Sequence, residues 1–159
     1  MSKVIEFVLN GAPVKVRVEN TRTLLDLLRE DFDICSVKEG CGVGVCGSCT
    51  VLIDNKPVSS CLLLALHAEG KAVTTLEGIA EHGKLHPIQE GFIEASGFQC
   101  GFCTPGMILT AKSLLEENPH PTEEEIRDYM SGNICRCGSY PKAIKAIQVS
   151  GQKLSAAAN

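Results

Sequence analysis

Residues 4–9 are apolar but for Glu6 and read as a strand, whereas Val14, Val16 and Val18 alternate with Lys15, Arg17 and Glu19. That period of two predicts a half-buried return strand, and Asn10 followed by Gly11 supplies a tight hairpin turn between the two. The pattern then changes. Leu24, Leu25, Leu27 and Leu28 make a wide apolar stripe on a short helix ending near Leu28, with Thr21 or Thr23 as its cap. Residues 50–53 predict another strand, and Asp54, Asn55, Lys56 and Pro57 a turn after it. The apolar run at 61–66 predicts one or two helical turns, and residues 71–76 a last strand.

Beyond a polar stretch with two glycines, between Glu77 and Lys84, strand signals give way to four helical patterns. His86 and Pro87 open the first, whose apolar face (Ile88, Phe92, Ile93) runs towards Gly97. Thr104 and Pro105 open the second, a capping residue followed by proline at the first helical position. Pro121, Thr122 and three glutamates open the third, with acids placed for the helix dipole. Pro141 opens the fourth, and its Ala143, Ile144, Ala146 and Ile147 face inward; residues 155–159 are expected to fray. The expected architecture is therefore α+β. It comprises a β-grasp, ferredoxin-like domain over residues 1–78, a linker at 79–84 and a four-helix bundle over 85–159.

Composition sharpens this picture. The chain has 159 residues, 44% hydrophobic and 21% charged, with five Phe, two Tyr and no Trp. Two small domains with so few large core residues need a staple, and metal clusters are one kind. The net charge of −4 and the lack of a basic run argue against nucleic acid or an anionic membrane as partner. No apolar stretch approaches the length of a membrane span, and the first residues turn polar too early for a signal peptide. The expected compartment is the cytoplasm; export on a partner's signal to the periplasm would leave the same sequence.

Nine cysteines carry the candidate chemistry. Cys41, Cys46 and Cys49 follow the spacing C-x4-C-x2-C, and Cys61 follows with eleven residues between it and Cys49. This is the plant-type pattern for a 2Fe-2S cluster, with Cys61 as its distant fourth ligand. The interleaved glycines let backbone amides approach the sulfurs and donate hydrogen bonds that tune the potential. Cys100 and Cys103 precede the second helix of the bundle, and Cys135 and Cys137 precede the fourth. Together they form a second four-thiol set, C-x2-C-x31-C-x-C. Helix starts offer free amide donors and a partial positive charge, which suit thiolates. Zinc remains an alternative for either set, since C-x2-C pairs also suit a tetrahedral ion. No C-x2-C-x2-C run and no Cys-x-His pair are present, which argues against bacterial-type 4Fe-4S and Rieske centres.

Cys35 is left over and is expected to be a buried packing cysteine. His67, His82, His86 and His120 show no ligand spacing and are expected at helix ends or on the surface. The chain contains no nucleophile–base set, phosphate-binding glycine loop or dinucleotide fingerprint, so no catalytic site of its own is expected.

Three stretches resemble a known family. The Cys41–Cys49 loop, then Gln99-Cys100-Gly101-Phe102-Cys103-Thr104-Pro105-Gly106, then Asn133-Ile134-Cys135-Arg136-Cys137 are similar to the small iron–sulfur subunit of molybdenum hydroxylases. That group comprises the xanthine dehydrogenase, aldehyde oxidoreductase and carbon monoxide dehydrogenase family, and the resemblance runs from about Val4 to Ile147. It implies two 2Fe-2S clusters, bound by Cys41, Cys46, Cys49 and Cys61 and by Cys100, Cys103, Cys135 and Cys137. It also implies that Gln99 and Cys137 contact a molybdopterin held by a large partner subunit. After Cys137 the chain reads Gly138-Ser139-Tyr140-Pro141 where many relatives have Thr-Gly-Tyr, a variant that suggests an N-heterocycle or aldehyde substrate. The acceptor implied is FAD in a medium subunit, or a cytochrome.

Two readings follow. In one, the chain is the electron-transfer component of a multisubunit molybdenum-dependent oxidoreductase. In the other, it is a free-standing two-cluster ferredoxin. A single ferredoxin domain would need neither the second cysteine set nor Gln99, which favours the first reading. A zinc-stapled interaction domain is a third and weaker one.

Overall fold

The computed structural model describes residues 1–80 and 83–157; His82 and the last two residues of the expected frayed tail lie outside these. Strands β1 (Ser2–Leu9) and β2 (Ala12–Glu19) form the predicted hairpin, with Leu9 opposite Ala12. Asn10 and Gly11 both take positive φ, 51° and 82°, the conformation a two-residue turn of this type requires. Helix α1 (Leu24–Glu30) then crosses the sheet, and Thr23 rather than Thr21 caps it, accepting from the Asp26 amide at 3.1 Å.

Strand β3 (Thr50–Ile53) returns to the sheet, followed by β4 (Lys56–Ser59) and β5 (Ala72–Thr74). The order is β2-β1-β5-β3-β4, with β1 and β5 parallel and the other neighbours antiparallel. Three details differ from the sequence reading. Lys56 and Pro57 belong to a strand, because Asp54 and Asn55 at φ 49° and 67° complete the turn alone. Pro57 is tolerated there because β4 is the sheet edge. The helical turn expected at 61–66 is a short 3-10 segment at Ala65–Ala68. The last strand is only three residues long, and Leu76–Gly78 wind into a 3-10 turn.

Helices α2 (Pro87–Glu94), α3 (Thr104–Glu117), α4 (Glu123–Tyr129) and α5 (Tyr140–Ala157) form the second half. His86 and Thr122 cap α2 and α4 through reciprocal bonds with Gln89 and Glu125. Helix α2 stops before Gly97 because Ser96 turns left-handed (φ 49°) and the Gly97 amide closes onto the Phe92 carbonyl at 2.8 Å. Ser155–Ala157 do not fray but continue α5, where alanine is the best helix former. Among the described residues no helix is long and apolar enough to cross a membrane.

Two buried clusters result. Ile5, Phe7, Leu24, Leu27, Leu28, Val51 and their neighbours fill the space between sheet and α1. Ile88, Phe92, Met107, Leu109, Ile126 and Ile147 centre the helical cluster. Leu52 joins the second cluster although it lies on β3, between Val51 and Ile53 of the first. The pleat therefore sends alternate β3 side chains into opposite cores, and the helices pack on the outer face of the sheet.

Candidate metal centres

Residues 41–49 adopt no regular structure, and Gly42, Gly44 and Gly47 all take positive φ (66°, 76° and 68°). The winding turns main-chain amides inward: the Val43 N–H points at the Cys41 sulfur at 3.5 Å. The loop's ends are fixed to the sheet. Ser60 donates from its hydroxyl to the Cys49 carbonyl at 2.7 Å, and the Lys38 amide donates to the Ser48 carbonyl at 3.2 Å.

The four thiols of this set lie in two pairs. Cys41 and Cys46 are half-buried and interact with one another; Cys49 and Cys61 are buried and do the same. Their electrostatics diverge accordingly. The Val43 and Val45 amides bring the Cys41 thiol down to about 7. Burial, with the neighbouring Cys49, pushes Cys61 up to about 11.

The second set repeats the plan. Cys103 occupies the N-cap position of α3 without a side-chain capping bond, so its sulfur is left for other partners. Cys103 pairs with buried Cys135, and exposed Cys100 pairs with exposed Cys137. Burial pushes Cys103 up to about 12. Burial also raises Cys135, but the hydrogen bonds from Ser139 outweigh it and bring that thiol to about 7. The Ser139 amide lies 3.5 Å from the Cys135 sulfur, and the Cys135 amide donates to the Tyr140 hydroxyl at 2.8 Å.

The donor sets can be compared with what each metal needs. A tetrahedral zinc site draws four ligands round one point, whereas a 2Fe-2S unit takes two cysteines on each of two irons. Each set is a pair beside a pair, with amide donors aimed at the sulfurs, and that donor set fits the two-iron group.

The two sets meet directly. The Ile134 amide donates to the Cys46 carbonyl at 2.9 Å, and the Asn133 carboxamide donates to the Gly47 carbonyl at 3.3 Å. Lys38 lies over the Phe102 ring, 5.9 Å from its centroid. Gln99 is exposed beside Cys100. Cys35 is exposed rather than buried: Val37 takes the core position in that segment, and the Cys35 thiol donates to the Asp33 carbonyl at 3.5 Å. His67 and His120 are exposed and His86 caps α2, so none joins a thiol set. The sequence reading gave no separate role to Ser139, Tyr140 and Asn133. Their one signal was adjacency to Cys135 and Cys137.

Comparison with known proteins agrees with this geometry. Residues 7–76 match the 2Fe-2S iron-sulfur cluster binding domain, and residues 75–148 match the 2Fe-2S binding domain. The chain is 52% identical over 149 residues to the nicotinate dehydrogenase small FeS subunit of Eubacterium barkeri, covering 93% of this chain and 95% of that one. It is 43% identical over 143 residues to the nicotine 6-hydroxylase small subunit of Paenarthrobacter nicotinovorans, covering 90% of this chain and 86% of that one. Among solved structures, quinoline 2-oxidoreductase from Pseudomonas putida 86 superposes with a TM-score of 0.93 at 44% identity, covering 98% of this chain and 97% of that one.

Proposed function

The chain belongs to the family of two-domain 2Fe-2S proteins that serve as iron–sulfur subunits of molybdenum hydroxylases, and from that membership we propose the details of its relay. Electrons pass singly from the molybdopterin centre of a large partner subunit to a flavin subunit. Cys41, Cys46, Cys49 and Cys61 hold one cluster, and Cys100, Cys103, Cys135 and Cys137 hold the other. A bound 2Fe-2S cluster supplies a centre that accepts and returns one electron without making or breaking a bond to substrate. The remaining work belongs to this chain. The amides of Val43, Val45 and Ser139 stabilise negative charge on the sulfurs and so favour the reduced state.

One observation carries the relay: the hydrogen bond from the Ile134 amide to the Cys46 carbonyl. It joins a residue inside the first set to the residue just before Cys135. Both ends of the route are open to partners. Phe98, Phe102 and Ile134 are exposed near the second set, as are Gln99 and Cys137, which suits docking of the large subunit with Gln99 and Cys137 against the pterin. Val43, Val45 and Leu62 are exposed around the first, which suits an acceptor protein carrying FAD. The relatives support a reading of the substrate class. Similarity to the small subunits of nicotinate dehydrogenase and nicotine 6-hydroxylase, with Gly138-Ser139 after Cys137, favours hydroxylation of an N-heterocycle by the large subunit. We place the unit boundaries at 1–78 and 85–159.

Purification of the native protein tests this. It should travel with a flavin subunit plus a large molybdenum-containing one, and dithionite reduction should develop two distinct 2Fe-2S EPR signals. A chain isolated from its source without a molybdenum partner would overturn the assignment.

A further inference from the structure

Gly47 lies between Cys46 and Cys49, and its carbonyl lies at the junction of the two halves. A Cβ on Gly106, three residues past Cys103, would lie 2.1 Å from that oxygen. A Cβ on Gly47 itself would lie 2.5 Å from the Asn133 carboxamide nitrogen and 2.5 Å from the Gly132 carbonyl oxygen. Real Cβ atoms do not tolerate such distances, so the contact is main chain against main chain. The Gly47 carbonyl accepts from Thr50, from its hydroxyl at 2.8 Å and its amide at 3.2 Å, on its own side. From across the junction it accepts from Asn133 at 3.3 Å.

Asn133 is 4% exposed, yet packing alone does not hold it. It lines a cavity of about 180 Å³ with Gly44, Gly47, Thr50 and Thr110, and another of about 290 Å³ with Met107, Met130 and Ile144. The apolar side chains on the second side, Met107, Met130 and Ile144, cannot fix how a carboxamide is turned. Its hydrogen bonds must do so: the carboxamide to Gly47, and the backbone amide to the Met130 carbonyl at 2.9 Å.

We propose that Asn133 is the positioning residue of the inter-cluster relay: its clamp on the Gly47 carbonyl holds the neighbouring Ile134–Cys46 hydrogen bond closed and so sets the electronic coupling between the two thiol sets. This rests on the two-cluster reading above. What crosses the junction is one electron, with no bond made or broken and no proton moved. Electronic coupling falls steeply with each through-space gap, so opening this contact weakens transfer while leaving each thiol set intact.

The test uses the native complex, reduced with dithionite, in wild-type form and as Asn133→Ala, Asn133→Asp and Thr50→Val. Two EPR signals in the wild type are the premise; their absence would defeat the two-cluster reading itself. With both present, spin–spin splitting between them at low temperature, taken as its exchange part once the distance-set dipolar part is subtracted, reports the coupling. Asn133→Asp keeps the shape but replaces the donor with a carboxylate facing a carbonyl. Both Asn133 variants should keep full iron content and both parent signals, lose the splitting, and slow reoxidation of the second cluster through the first. Thr50→Val, which removes a bond to the same carbonyl from the other side, should retain the splitting. The proposal is overturned if either Asn133 variant keeps wild-type splitting. It is equally overturned if splitting disappears only together with iron, since Asn133 would then serve folding alone, or if Thr50→Val abolishes it too.

Discussion

The Glu77 carboxylate accepts two hydrogen bonds from Ser36, from the amide at 3.0 Å and the hydroxyl at 2.6 Å, across 41 residues of chain. Thr75 donates a third at 2.7 Å, and Asn10 binds Thr75 in turn through its carboxamide nitrogen at 3.0 Å and oxygen at 2.8 Å. The hairpin turn, the end of the sheet and the segment entering the thiol loop are thereby tied to one carboxylate.

That tie is pH-dependent, with a definite sign. Burial raises the Glu77 pKa, but the bonds from Ser36 and Thr75 outweigh it and hold the group below its ordinary value. A carboxylate depressed on folding stabilises the fold above its unfolded pKa, and the contribution disappears as pH falls through the folded one. Glu77→Gln should therefore cost on the order of 1 kcal/mol near neutral pH, a modest figure because the residue is exposed and solvent screens the charge. Thermal melts of both proteins from about pH 7 to about pH 2 should show a steady gap near neutral pH that narrows as the pH falls through and below the ordinary carboxylate range. A gap of constant size would mean that the ionised carboxylate does not form the tie.

Leu52 is fully buried on β3 and belongs to the helical cluster, while Val51 and Ile53 belong to the other. Leu52→Ala should cost about 3 kcal/mol, the usual penalty for emptying such a site. Because the residue joins sheet to helices, both halves should lose stability together. Hydrogen exchange read separately in β1 and in α5 checks this. Unchanged protection in β1 would show that the helices stabilise nothing beyond themselves.

The strands, the helices and their caps were legible because each rests on local signals: alternation at Val14, Val16 and Val18, the leucine stripe of α1, Thr122 with Glu125. What could not be read locally was which element covers which face. Leu52 announces a strand, but only the packing of α3 shows that its face is buried. Glu77 opens the polar stretch that leads into the linker, yet its partner Ser36 lies 41 residues away. Cysteine spacing separates the thiols into two sets but does not pair Cys41 with Cys46 or Cys103 with Cys135. Cys35 misled for a related reason: cysteine as a residue type favours burial, and only the path of the chain shows that Val37 has taken the core position.

Gln99 is exposed beside Cys100 and belongs to neither buried cluster, so Gln99→Ala should change stability by less than about 0.5 kcal/mol. In the native complex it should preserve both EPR signals while reducing the rate at which substrate reduces the second cluster. Rapid-freeze EPR separates that step from later ones. Wild-type rates would show that the glutamine makes no contact that matters to the pterin.

Cys137 offers the sharpest check on the ligand assignment. It is exposed and paired with Cys100, outside both buried clusters, so its thiol contributes little to packing. Cys137→Ala removes one of four sulfurs from the second set and leaves the first set, more than 70 residues earlier in the chain, chemically whole. The variant should bind half the wild-type iron and show the plant-type EPR signal alone, with Cys41, Cys46, Cys49 and Cys61 still holding it. Its melting temperature should also fall, because a bound cluster stabilises the half that holds it. Loss of both signals together would mean that the first cluster depends on the second through the Gly47–Asn133 junction. Retention of both would remove Cys137 from the ligand set.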